Sequence, residues 1–184
     1  MGKRLEGLPP EDLNSEQRVL YDAIISSPRS KGARVVPLVT EDGFLQGPFN
    51  SMLLSPKVGL ALQQLGSEVR YSENLSALER EVAILTVAAQ AGSDYEIRLH
   101  SHAARTAGLS EADIKSICDE KPPTEVVSIG KVVWKVVREL LSTGKLSDEL
   151  WELATSTLTL AGLYDLIVIV GYYQILAMTM AVFG

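Results

Sequence analysis

The chain has 184 residues, 46% of them hydrophobic and 22% charged, a length that suits one domain and enough apolar surface to exclude a disordered chain. A formal net charge of −6 argues against a nucleic-acid partner, whose affinity rests on Lys and Arg neutralising phosphates. With Cys118 as its single cysteine, the chain can form neither an intrachain disulfide nor a cysteine-based zinc or iron–sulfur site, and a cytoplasmic location is expected.

The start, Met1-Gly2-Lys3-Arg4, is followed by no apolar stretch, so no secretory signal is expected. Residues 1–13 read as an arm lying across a surface or mobile. Asn14 and Gln17 form a capping-box pattern, and Val19, Leu20, Ile24 and Ile25 continue it as a helix to about Ser27, ended by Pro28. Residues 29–50 are rich in Gly and Pro and read as a long loop bordering a binding site, with a short strand at Val35 to Val39. Ser55 and Pro56 open a second helix, which Val58, Leu62, Leu65 and Val69 carry to about Tyr71. Ser76 and Glu79 open a third, to Ala91, with Gly92 as its stop.

Ser93 or Asp94 caps a fourth helix, to Thr106, and Ser110 with Asp113 opens a short fifth that ends before Pro122. Thr124 is expected to cap a sixth, containing Val133, Val136, Val137 and Leu140 and closed by Gly144. Ser147 caps a seventh, which continues or breaks at Gly162 before the apolar run from Leu166 to Phe183. That run is long enough to span a membrane. Gln174, Tyr172 and Tyr173, and the lack of Lys or Arg beyond Lys145, favour instead a helix buried in the core or between subunits. With no fixed repeat and no sustained strand alternation, the expected fold is all-α: one compact multi-helix domain over 1–184.

Chemistry concentrates on two helices. On the fourth, Tyr95, Leu99, Ala103, Ala104 and Ala107 sweep one face that also holds Glu96 and His100, four residues apart. Arg98, Ser101, His102 and Arg105 fall opposite, so His102 should face solvent. On the third, Glu81 sits between Leu78 and Leu85, with Glu79 and Arg80 pointing elsewhere. Burying such groups is costly unless they pair or act. Two readings follow: a shared site, or a pair that orders the helix while Glu81 meets an Arg in the core. His100 and His102, two apart, diverge and suit no metal. Cys118 reads as a small buried residue, not a nucleophile.

The runs Leu78-Glu79-Arg80-Glu81-Val82-Ala83-Ile84-Leu85, Ser93-Asp94-Tyr95-Glu96-Ile97-Arg98-Leu99-His100 and Ala107-Gly108-Leu109-Ser110 resemble carboxymuconolactone decarboxylases and alkylhydroperoxidase-D-like proteins. Gly47-Pro48-Phe49-Asn50 and Ser55-Pro56 look like the loop and helix start of longer members. The resemblance implies a helical domain assembled as a homotrimer or homohexamer. In the peroxidase branch a redox cysteine pair stands where this chain has Ser93 and Glu96, so dithiol peroxidase chemistry is not expected. The decarboxylase branch is closer, having a Glu and a His four apart.

His100, Glu96 and Glu81 are therefore the candidate catalytic residues, and Ser93, Tyr95 and Phe49 the candidate substrate-binding ones. His100 is expected to exchange a proton with a small unsaturated carboxylic acid or lactone, Glu96 to fix its tautomer, and Glu81 to relay or hold a second proton. Neither metal nor cofactor is expected. The rival from another class is a non-catalytic oligomeric binding protein held together by these inward polar groups.

Overall fold

The computed structural model describes residues 4–27 and 35–184. The expected helix stop at Pro28 and the first part of the 29–50 loop lie outside the described residues. Among those described there are nine α-helices and no strand, as the all-α reading expects. They are α1 (Ser15–Ile25), α2 (Pro48–Met52), α3 (Pro56–Tyr71), α4 (Ala77–Gln90), α5 (Asp94–Thr106), α6 (Glu111–Cys118), α7 (Ser128–Thr143), α8 (Asp148–Thr157) and α9 (Leu160–Phe183). The chain groups into two compact units, one of Met1–Ser67 with Met178–Gly184 and the other of Glu68–Ala177.

In the first unit, α1 opens on the expected capping box, with Asn14 and Gln17 exchanging side-chain and backbone bonds of 3.0 Å. It buries Leu20, Tyr21 and Ile24, while Val19 and Ile25 of the expected stripe stay exposed. The Tyr21 hydroxyl donates to the Gly43 carbonyl at 2.8 Å. The expected strand at Val35 to Val39 is absent; Val39 makes one isolated antiparallel bridge with Leu45. The loop also ends early, because Gly47 at φ 60° turns the chain and Pro48 starts α2 at its first helical position, where the missing N–H costs nothing. The N-terminal arm is tied down: the Leu5 N–H donates to Phe183 O at 3.1 Å and Asn50 Nδ2 to Glu6 O at 3.1 Å.

In the second unit α4 is the central rod, meeting α5, α6 and α7. Ser76 and Glu79 make the expected capping box, with the Ser76 N–H donating to the Glu79 carboxylate at 2.6 Å. Residues 81 to 88 are all buried, so α4 has no solvent face along that stretch. Glu79 is buried too, against expectation, because its carboxylate is spent on the helix start. Ser110 caps α6, but the Asp113 carboxylate reaches forward to accept from the Thr124 and Glu125 N–H groups at 2.7 and 2.9 Å. Thr124 is thereby held in a bend and Val127 takes the capping position, so α7 begins only at Ser128, three residues later than expected.

Gly144 closes α7 at φ 72°, a left-handed position that favours glycine. The break before the last helix falls at residues 158 and 159 rather than Gly162. Gly162 lies inside α9, its N–H bonded to Thr159 Oγ1 at 2.9 Å, and a Cβ there would stand 2.9 Å from the Asn74 carbonyl oxygen. α9 is long and apolar enough to cross a membrane, with mean hydropathy 2.0. It buries Leu163, Leu166, Ile169, Val170, Tyr172, Tyr173, Leu176 and Ala177.

Candidate active site

α5 begins after Ser93, whose side chain makes no capping bond. Its most buried line is Glu96, His100 and Ala104, at i, i+4 and i+8, flanked by half-buried Tyr95, Leu99 and Ala103. The polar pair therefore faces the interior more squarely than the apolar arc around it, and His102 is exposed as its position predicts. Glu81, at the start of the fully buried stretch of α4, approaches this line from the neighbouring helix.

The three groups meet. His100 Nδ1 lies 2.7 Å from Glu81 Oε2, a hydrogen bond across two helices, and Nε2 lies 3.3 Å from Glu96 Oε2 one turn away. The imidazole is 1% exposed, and Glu81 and Glu96 are 6% and 2% exposed. The Tyr173 ring on α9 stands edge-on to the imidazole, with centroids 5.2 Å apart at 89°. Burial pushes the imidazolium down, but Glu81, by charge and hydrogen bond, and Glu96 outweigh it, so the pKa of His100 is raised above 6.5. The shorter of the two contacts is with Glu81, and the contact with Glu96 is the longer.

Two residues that sequence reasoning passed over complete the cluster. Arg70, in the last turn of α3, hydrogen-bonds to Tyr173. Its burial disfavours the charge, but Tyr173 and Glu81 hold its pKa above the ordinary value. Arg80 is pulled the other way: burial and the nearby Arg70 charge outweigh the attraction of Glu81, and its pKa is lowered. Its guanidinium donates to the Ser72 and Leu75 carbonyls, while Asp165 of α9 accepts from Asn74 Nδ2 at 2.9 Å. The turn between α3 and α4 is thus tied to α4 and α9, and it sets where Arg70 enters. Glu81 makes its direct contact with His100, and its charge also acts on Arg70 and Arg80.

The imidazolium of His100 and the half-buried guanidinium of Arg70 stand opposite the two carboxylates, and such pairing lowers the cost of burying them. A ring held at Nδ1 by a carboxylate and more loosely engaged at Nε2 is able to give or take a proton at Nε2. Ser93 stands at the start of α5 and Tyr95 in its first turn. Phe49 lies on α2, buried, in the first unit. Cys118 is half-buried, and burial with Asp119 beside it pushes its thiol up, away from the thiolate a nucleophile needs. Among the described residues, no group of three or more His, Cys, Asp or Glu side chains is placed to hold a metal ion.

No curated protein matches the chain. Residues 56–123, from the start of α3 to the turn after α6, match the model of the carboxymuconolactone decarboxylase family. The matched segment, which carries Glu81, Glu96 and His100, is similar to the carboxymuconolactone decarboxylase family.

Proposed function

We propose that the protein is an acid/base enzyme, independent of any cofactor, that acts on a small unsaturated carboxylic acid or lactone as a decarboxylase or double-bond isomerase. The observation that carries this reading is the asymmetric hold on His100, 2.7 Å at Nδ1 against 3.3 Å at Nε2, in a ring almost wholly removed from water. Glu81 anchors the ring and favours the imidazolium. Nε2–H is the proton to be handed over, with Glu96 turning from it as substrate arrives.

When an acid whose carboxylate stands on a carbon joined through a double bond to a second carbonyl, as in an unsaturated lactone, loses it as carbon dioxide, the electron pair of the broken bond delocalises onto that carbonyl as a dienolate. Nε2–H protonates that carbon, and neutral His100 regains its proton from solvent. In an isomerisation the same ring removes a proton beside the carbonyl and returns it at the far end of the double bond. The apolar walls supplied by α4 and α9 favour a dispersed charge over a hydrated carboxylate. The family match over α3–α6 is compatible with this class of enzyme. A cytoplasmic location and self-association as a trimer or hexamer belong to the same proposal.

The test is a panel of unsaturated carboxylic acids and lactones, read by carbon dioxide release and by double-bond migration, with wild type and His100→Gln side by side. Turnover should fall by about 10²-fold or more in the variant, in line with the usual contribution of a general acid or base, while helical circular dichroism and solution mass stay unchanged. Full activity in His100→Gln rejects the assignment. An altered mass with no turnover from either protein favours the rival reading, a non-catalytic oligomeric binding protein.

A further inference from the structure

Four of the described arginines are half-buried, and the chain itself occupies three of them. Arg18 donates to the Pro10 carbonyl, Arg80 to the Ser72 and Leu75 carbonyls, and Arg138 to Gln90 and Glu120 at 3.0 and 2.7 Å. Arg70 is the exception. Its guanidinium has one hydrogen-bond partner among the described residues, the Tyr173 side chain. Every Asp and Glu of the chain lies among the described residues, and none forms an ion pair with Arg70. A guanidinium carries five N–H donors in a planar fork. Most of that capacity is unused here, where drawing a cation out of water without a counter-ion is costly.

The carboxylates of this cluster are committed elsewhere. Glu81 and Glu96 hold the two ring nitrogens of His100 at 2.7 and 3.3 Å, and Asp165 accepts from Ser72 and Asn74 at 2.5 and 2.9 Å. Tyr173 fixes where the guanidinium sits. It is 5% exposed, and its ring stands edge-on to both His100 and Tyr172, with centroids 5.2 Å apart in each pair. Arg70 and His100 therefore border the same tyrosine, within the unit Glu68–Ala177, so an anion on the guanidinium lies beside the proton-transfer group.

Charge selects the occupant. The Arg80 donors are taken by carbonyls, which leaves one guanidinium in the cluster with N–H groups to offer, and its fork matches the two oxygens of a single carboxylate. A phosphate dianion would bring a second charge with no second cation to meet it and with Glu81 nearby to repel it. We infer that Arg70 is a substrate-binding residue that anchors a carboxylate of a small organic acid beside His100. The ligand class, an acid, rests on the reading given under the proposed function. The pair is a handle and not the reacting bond, because a guanidinium that pairs with a carboxylate stabilises it and works against its loss.

Calorimetric titration of the full chain with acetate, crotonate, sorbate and benzoate, each beside its neutral primary amide, tests this. At least one carboxylate should bind wild type about 10-fold or more tighter than its amide, the scale of a hydrogen bond to a charged group. Arg70→Gln should erase that preference, and Arg70→Lys, which keeps the charge but not the fork, should keep part of it. The comparison of acid with amide on wild type depends on no variant, and circular dichroism checks that both variants keep their helices. In a His102→Gln background His100 is the only histidine, and its ring NMR signals should move when the carboxylate is added and stay in place when Arg70→Gln is combined with it. No preference for any acid over its amide, a preference that survives Arg70→Gln, or binding that leaves the His100 signals unmoved would overturn the inference. So would inorganic phosphate binding tighter than every carboxylate. The two readings fail separately. Carboxylate binding through Arg70 with no turnover of any acid removes the enzyme and keeps the anchor, whereas turnover that needs His100 but keeps its KM in Arg70→Gln removes the anchor and keeps the enzyme.

Discussion

His100 has a carboxylate at each ring nitrogen, and the two contacts do different work. Glu81→Gln removes the charge at the closer one and leaves a buried imidazolium with only the 3.3 Å contact to Glu96. Loss of one partner from a buried charge pair costs roughly 3–5 kcal/mol, so the variant should unfold at markedly lower urea. A change under about 1 kcal/mol would mean that Glu81 is neutral or that water replaces it. The Glu96 and His100 pair was legible in the sequence because i, i+4 spacing puts both on one face, and Glu81 because it interrupts an apolar line. Arg70 and Tyr173 were not legible. An arginine in the last turn of a helix is ordinary, as it complements the helix dipole, and Tyr173 reaches His100 from 73 positions away along the chain, which no local pattern encodes.

Helix starts with a reciprocal side-chain signature were readable to the residue: Asn14 with Gln17 and Ser76 with Glu79 both close as written. Starts went wrong where a side chain found a distant partner. Asp113 looked like a local capping residue, but it gathers the Thr124 and Glu125 amides and delays α7. Gly162 looked like a breaker and is instead a point of close approach to Asn74. Gly162→Ala tests that difference. Helix propensity alone would gain about 1 kcal/mol, but the new methyl meets a carbonyl oxygen at 2.9 Å, and overfilling of this kind costs roughly 1–3 kcal/mol. The variant should melt lower than wild type, and a higher melting temperature would show that the turn before α4 yields freely.

For the molecule as a whole, the buried cluster couples folding to pH. The pKa of His100 is raised in the folded chain, so its contribution to stability is fully present below the unfolded value near 6.5 and drains away as pH rises through the folded value. Melts of wild type and His100→Gln across that range should show the widest gap on the acid side and convergence towards alkaline pH. A gap that widens with pH would reverse the sign of the linkage. The all-α class followed from caps and periodicity throughout the chain, whereas the grouping into two compact units joins distant stretches, Met1–Ser67 with Met178–Gly184, that no local feature connects.

Asp165 has a second consequence, outside the folded state. In the finished protein it is an acceptor for Asn74. During synthesis, before that partner is met, α9 is a 24-residue segment of high hydropathy of the kind insertion machinery tests against lipid. A carboxylate at the centre of such a segment adds roughly 2.5–3.5 kcal/mol to the cost of entering hydrocarbon, and less towards an end. Asp165, six positions into α9, thus biases the nascent segment against the bilayer and towards its own fold.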